Sequence, residues 1–354
     1  MRASDGVRVE AAASIVDWML IGPPSCGAAG AVKILFAEST SHVVSFHSLF
    51  PPIRGEPMSV QKSASVDLGK SRCRVLVSDA EGRIERDGVG APGLAAAGGV
   101  ASAFDAILPL LAGERLDRIG VGAAGAWMAP DAAQGLSSRL AAETGAAVAV
   151  ASDVVTAHAG ALDGAGGVLL IAGTGAVALG IDVDDARLVD GWGPDLGDFG
   201  SGSWLGREAL RAVLRADDGL APDTVLTEAI AEPVGAVTDI QSWLAGGGPL
   251  PRRLATLAPL VLDAAQSGDV VAGAIVTEGI RLLTATASAA SALTADVVLH
   301  GGLTAHSWFR ECLTSSLQAA GRRVVPARGD ALDGALLLAR RTDLPHERFV
   351  HRAE

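Results

Sequence analysis

Three short glycine-bearing turns hold most of the chemical potential of this 354-residue chain. The first is Asp67-Leu68-Gly69-Lys70-Ser71, at the end of an apolar run. A glycine there lets backbone N–H groups approach phosphate oxygens, and Ser71 can donate a hydroxyl hydrogen bond. Asp67 suits a hydrated Mg²⁺, which usually takes one or two carboxylates plus phosphate oxygens. The same five residues also suit an ordinary hairpin. The second turn is Gly173-Thr174-Gly175, fed by the apolar run Gly167 to Ala172. It offers a backbone anion nest with one hydroxyl, or a plain tight β-turn. The third, Gly301-Gly302, follows the run Asp296 to His300. It permits close approach of a flat ligand such as adenine, and it equally serves as a strand-to-helix turn.

The segment from Gly191 to Gly206 is the most unusual, with six glycines in sixteen residues. Neither a simple helix nor a simple strand tolerates that composition. Trp192, Trp204, Asp195 and Asp198 stand among the glycines. A carboxylate accepts hydrogen bonds from sugar hydroxyls, and an aromatic ring covers an apolar sugar face. Core packing of the two tryptophans is the competing explanation. Ser152-Asp153 ends another short apolar run, and Asp153 can cap a helix starting at Val154.

Alternating strands and helices must position these groups. Residues 73–78 and 83–87 read as a hairpin around the turn Asp79-Ala80-Glu81-Gly82. Residues 95–113 and 130–144 have helical spacing, with a buried strand at 119–122 between them. A second unit opens near Gly164 with strands at 167–172 and 177–181. Residues 203–290 are mostly helical, and 296–300 is a strand. Two related α/β units, each with a glycine turn, predict a ligand cleft between two domains at the strand ends. Residues 1–57 show no period and many Pro and Gly breakers, so 1–60 is expected to be a disordered extension or a stretch ahead of the true start at Met58.

A net charge of −12 opposes non-specific nucleic-acid binding, which needs Lys and Arg to neutralise phosphates. No apolar run of the roughly 18–20 residues a membrane helix needs stands out. Cys26, Cys73 and Cys312 form no CxxC or Cys/His cluster. That points away from a metal site or disulfide framework and toward a reducing cytoplasm. The histidines, including His158, His300 and His306, are scattered and read as surface or packing residues.

Taken in order, DxGxSR, SD, AGTG, the loop at 191–207 and GG resemble the BadF/BadG/BcrA/BcrD ATPase family, which contains N-acetylglucosamine kinases. The resemblance runs over about 64–341, and Gly329 to Ala335 resembles the family's closing helix. It implies an α/β, two-domain actin-like ATPase (ribonuclease H-like) fold with domains at 61–163 and 164–340. The helix near 330–341 would pack back on the first. ATP and sugar would share the interdomain cleft. Asp67, Gly69 and Ser71 would then meet phosphate, with Asp67 holding Mg²⁺ through water, and Lys70, in place of a family glycine, would contact phosphate directly. Gly173, Thr174 and Gly175 would form the second phosphate turn, and Gly301 and Gly302 the adenosine turn. Asp153 would deprotonate the attacking sugar hydroxyl, with Gly191, Trp192 and Asp198 around the sugar. Such chemistry needs mainly positioning, charge neutralisation and one base.

The implied activity is ATP-dependent phosphorylation of N-acetylglucosamine at its 6-hydroxyl, with ATP, Mg²⁺ and an amino sugar as ligands. No nucleic acid or membrane is expected as partner, and a homodimer is the candidate assembly. Three features depart from the family. Leu68 and Lys70 replace glycines of the first turn, Pro92-Gly93-Leu94 stands where a sugar-binding asparagine is expected, and Asp198-Phe199 replaces an Asp-Glu pair. Glucosamine or N-acetylmuramic acid is therefore the alternative substrate, and a non-catalytic sugar- or nucleotide-binding regulator the alternative class. The family's dehydratase activators hold an iron–sulfur cluster with paired cysteines, which this chain lacks in the expected region.

Overall fold

The computed structural model describes residues 62–354 apart from Ala112 and Asp184, all within one compact unit. The expected extension at 1–60, with Cys26 and Met58, lies outside the described residues.

The described chain begins with an antiparallel meander of β1 (Ser63–Leu68), β2 (Arg72–Ser78) and β3 (Arg83–Val89). In β2 the buried Cys73, Val75 and Val77 alternate with Arg72 and Arg74, the two-residue period of a half-buried strand. Helix α1 (Gly99–Leu111) covers the sheet with Phe104, Ile107 and Leu111, spaced as one helical stripe. Strand β4 (Arg118–Ala123) pairs parallel with β1. Helix α2 (Pro130–Thr144) then crosses to β5 (Ala147–Ser152), parallel to β4. Pro130 starts α2, and Gly145 ends it at φ 68°.

Helix α3 (Asp153–Ala161) leads to a second meander of β6 (Gly167–Ala172), β7 (Ala176–Ile181) and β8 (Ala186–Asp190). A helical stretch follows: α4 (Gly202–Asp217), α5 (Leu226–Val234), α6 (Ile240–Ala245), α7 (Leu250–Ala255), α8 (Ala258–Gln266) and α9 (Val270–Ala290). Strand β9 (Asp296–His300) pairs parallel with β6. Helix α10 (Ser307–Ala319) connects it to β10 (Arg323–Val325), parallel to β9. Helix α11 (Ala331–Arg340) and β11 (His351–Ala353) complete the described chain.

The two sheets share one plan, β3-β2-β1-β4-β5 and β8-β7-β6-β9-β10. Each meander continues into two parallel strands. Antiparallel β11 is added to the edge of the first sheet, beside β5. The repeat read from the two glycine-turn units is thus a repeat of topology. Helix α9 is the one described helix long and apolar enough to cross a membrane, although no uninterrupted apolar run marks it in the sequence. Glu278 and Arg281 interrupt it, and Val276, Ile280, Leu283 and Ala287 bury its inner face in the second sheet's core.

Helices α3 and α11 touch backbone to backbone. A Cβ on Gly160 would lie 1.8 Å from the Asp330 carbonyl oxygen, and one on Gly334 would lie 1.8 Å from that of Thr156. On the other side of α3, His158 and His346 form a buried pair, with Nδ1 of His158 2.9 Å from Nε2 of His346. His158 Nε2 lies 2.9 Å from the Gly167 carbonyl oxygen, which can only accept. So His158 donates there and accepts from His346, which leaves Nδ1 of His346 without a partner.

Burial pushes His158 down to about 4 and His346 to about 3. An unfolded histidine protonates near pH 6.5, long before the folded pair does. The neutral pair's contribution is therefore complete above about pH 6.5 and lost as pH falls toward 4, worth of order 3 kcal/mol for His158. Melting temperature is expected to fall through this window, with a shallower slope in His346→Gln. Equal slopes in the two proteins would contradict the assignment.

Candidate active site

Residues of both sheets line a cleft of about 620 Å³. Asp67, near the end of β1, faces Arg74 of β2 in the strand register. Its Oδ2 accepts from Arg74 Nη2 at 3.0 Å and Nε at 3.3 Å. Arg74 Nη1 donates to Asp330 Oδ2 at 3.1 Å, and Asp330 is the N-cap of α11. One arginine therefore ties the end of β1 to the start of α11. Asp67 Oδ1 has no hydrogen-bond partner among the described residues. No group of three or more His, Cys, Asp or Glu gathers as a metal cage among those residues. This donor set fits a hydrated Mg²⁺ carried mainly by phosphate oxygens and water.

Asp153 enters the same cleft where β5 gives way to α3. Ser152 holds the N-cap position, and neither side chain caps the helix in the usual way. Instead, Asp153 Oδ1 accepts from Ser152 Oγ and from the Val154 N–H, both at 2.9 Å. Burial pushes its carboxyl above the ordinary carboxylate range, and the negative charge of Asp67 adds to the shift. A carboxylate so placed is a stronger proton acceptor than one in water.

The second and third turns abut. Gly173 N–H donates to Gly175 O at 2.9 Å, and a Cβ on Gly173 would lie 3.8 Å from Gly302 N. Gly301, at φ 105°, leaves no room for a side chain, because its Cβ would lie 2.5 Å from Ala172 O. The start of α4 is fastened here, with Gly202 N–H donating to Gly173 O at 2.8 Å and Ser203 N–H to Thr174 O at 3.1 Å.

Asp198 also belongs to this cluster. Its Oδ1 accepts from the Ala176 N–H at 3.3 Å, and a Cβ on Gly175 would lie 2.9 Å from its Oδ2. Desolvation raises its carboxyl, and Asp190 adds repulsion. Asp190, at φ 65°, gathers the glycine-rich loop by accepting from the N–H groups of Gly191 at 2.8 Å, Asp198 at 2.7 Å and Phe199 at 2.9 Å.

The structure thus sorts the residues singled out from sequence into three places. Asp67, Asp153 and Gly191 line the cleft. Gly173, Thr174, Gly175, Gly301, Gly302 and Asp198 form the adjoining turn cluster. Gly69, Lys70 and Ser71 form the turn after β1, with Lys70 and Ser71 exposed. Trp192 does not line the cleft and is 72% exposed.

Several contributors escaped the reading of the sequence. Arg74 looked like the polar face of a strand, and its pairing with Asp67 depends on the turn length. Asp190-Gly191 carried a turn signal that pointed to the loop's anchor. Trp127 lines the cleft and stacks on Phe349 at 4.8 Å, a contact made by the segment after α11. His300, read as a surface or packing residue, also lines the cleft.

The model for the BadF/BadG/BcrA/BcrD ATPase family matches residues 65–339. Over 121 residues the chain is 36% identical to the N-acetyl-D-glucosamine kinase of Dictyostelium discoideum, covering 33% of this chain and 38% of that protein. Over 139 residues it is 29% identical to an N-acetylmuramic acid/N-acetylglucosamine kinase of Clostridium acetobutylicum, covering 38% and 45%. The chain thus spans less than half the length of each of these curated relatives. The crystal structure of a candidate N-acetylglucosamine kinase from Chromobacterium violaceum superposes with a TM-score of 0.64 at 28% identity, over 79% of this chain and 99% of that one.

Proposed function

The chain belongs to the BadF/BadG/BcrA/BcrD ATPase family, and from that premise we propose that it is an ATP-dependent amino-sugar kinase acting on N-acetylglucosamine at its 6-hydroxyl. The observation that carries this reading is the pairing of Asp67 with the raised carboxylate of Asp153 in one cleft beside the glycine turns. Asp153 takes the proton of the attacking hydroxyl. Gly173, Thr174 and Gly175 hold phosphate oxygens, Gly69, Lys70 and Ser71 receive the other side of the polyphosphate, and Gly301 and Gly302 lie against adenosine. When bound, Mg²⁺ held by Asp67 through water supplies charge neutralisation. Gly191 borders the sugar in the cleft; Trp192 and Asp198, expected beside it, lie on the same loop but outside the cleft lining. The domains of this reading run over 61–163 and 164–340, with α11 packing back on the first. A cytoplasmic enzyme accords with Cys73 and Cys312 being free thiols.

One observation favours a related sugar. At the position of the expected asparagine, Leu94 is buried, and its N–H donates to Ala124 O at 2.8 Å. A Cβ on Gly93 would lie 3.2 Å from the same oxygen. Residues 93 and 94 are thus fastened to the first sheet and offer no amide side chain to a sugar.

Sugar-dependent ADP formation across N-acetylglucosamine, glucosamine, N-acetylmuramic acid, N-acetylmannosamine and glucose tests the reading. Turnover is expected with at least one amino sugar, N-acetylglucosamine first. Sugar binding without ADP formation from any of them would instead identify a non-catalytic sugar-binding protein.

A further inference from the structure

We propose that Arg252 is a phosphate-binding residue that spans the two glycine turns and grips the transferring end of the triphosphate; this rests on the kinase reading of the cleft. Arg252 Nη2 donates to Ser71 Oγ at 2.8 Å, across 181 residues of sequence. Its helix is linked to the opposite turn through α4. A Cβ on Gly206 would lie 2.0 Å from Leu254 O, so α7 rests directly on α4. A Cβ on Gly202 would lie 3.2 Å from that of Ala255, and Gly202 N–H donates to Gly173 O at 2.8 Å. Arg252 thus reaches from α7, which is linked through the start of α4 to the second turn, to the serine of the first.

Its neighbours are already engaged. Arg253 donates to the carbonyls of Trp243 and Leu244 and lies over the Trp243 ring. Arg72 pairs with Asp87 at 2.7 Å, and Arg74 with Asp67 and Asp330. Arg252 is exposed and has no carboxylate partner among the described residues, in a chain of net charge −12. A guanidinium without a carboxylate, beside the turns proposed to hold phosphate, matches phosphate oxygens two at a time. Because Ser71 accepts from Arg252, its own hydroxyl proton stays free to donate to the same phosphate.

The test compares wild type with Arg252→Ala and Arg252→Lys. Affinities for ATP, ADP and adenosine are measured by calorimetry, and kcat and KM for nucleotide and sugar by ADP formation. Arg252→Ala is expected to lower ATP affinity and kcat/KM for ATP about 10- to 100-fold, the span of a charge-assisted hydrogen bond. Adenosine affinity and sugar KM stay unchanged. Arg252→Lys recovers part of the loss, since it keeps charge without the planar fork. ATP affinity and kcat/KM within twofold of wild type in Arg252→Ala would overturn the proposal. So would equal weakening of adenosine and ATP, the mark of a merely structural role. Failure of the kinase reading shows separately, in the wild-type protein, as ATP binding without sugar-dependent turnover; the binding comparison then still decides Arg252. Absence of ATP binding in wild type overturns both.

Discussion

Asp153→Asn is expected to reduce sugar-dependent ADP formation about 10²- to 10⁴-fold, the usual contribution of a positioned general base, with ATP affinity within a few fold of wild type. The substitution is nearly isosteric. An amide oxygen can still accept from Ser152 Oγ and the Val154 N–H, the two partners of Asp153 Oδ1. What disappears is the proton-accepting charge. Loss of that charge also removes a repulsion toward Asp67, so the variant is not expected to melt earlier than wild type. Single-turnover ADP formation, with ATP affinity measured separately, checks the result. A variant keeping more than a tenth of wild-type turnover would remove Asp153 as the base. The raised carboxyl adds a pH signature: in wild type the acid limb of kcat/KM lies above the ordinary carboxylate range, because the base must be ionised before it can accept.

The largest structural effect is expected from Gly334→Ala. The new methyl would stand 1.8 Å from Thr156 O and 2.5 Å from Gly160 N, both backbone atoms, so no side chain can swing aside. Helices α3 and α11 must part. Overpacking of this kind costs about 1–3 kcal/mol or more. At about 2–4 °C per kcal/mol, the melting temperature drops by roughly 2–12 °C. Activity falls as well, because α11 is capped by Asp330, which holds Arg74 against Asp67. Gly273→Ala on α9 is the control, since nothing lies within 4 Å of its Cβ. There the methyl adds helix propensity and stability rises by up to about 1 kcal/mol. Equal melting temperatures for the two variants would contradict the close-packed contact.

The elements that hold the candidate site were legible where local chemistry dictates them. The alternation of Cys73, Val75 and Val77 fixes β2, and the turn at 79–82 fixes its return. Gly173-Thr174-Gly175 announces a turn because glycine clusters break helices and strands, and Gly175 also leaves room for the Asp198 carboxylate. Pro130 and Gly145 mark the two ends of α2. What stayed hidden depends on distant partners. Strands β10 and β11 have three residues each, too short to show a period, and exist because β9 and β5 offer edges. Arg74 and Asp330 are 256 residues apart, and their ion pair follows from the seating of α11. Asp198 read as part of a sugar loop, and only the fold shows its carboxylate against Gly175. Arg252 carried no signal at all, since PRR within a helical stretch looks like a solvated surface.

The seating of α11 also sets an order of events on the ribosome. A Cβ on Gly120 of β4 would lie 2.0 Å from Ala335 O, so the groove above β4 is shaped for this helix. The strands that form the groove emerge by residue 152, whereas α11 begins only at 331 and β11 at 351. At about 5–20 residues per second, the intervening second sheet takes roughly 10–40 s to be made. During that interval the nascent first sheet lacks the cover of α11, whose Leu332, Ala335, Leu336 and Leu338 are buried in the folded chain. The first half therefore becomes a finished lobe only when the chain doubles back on it.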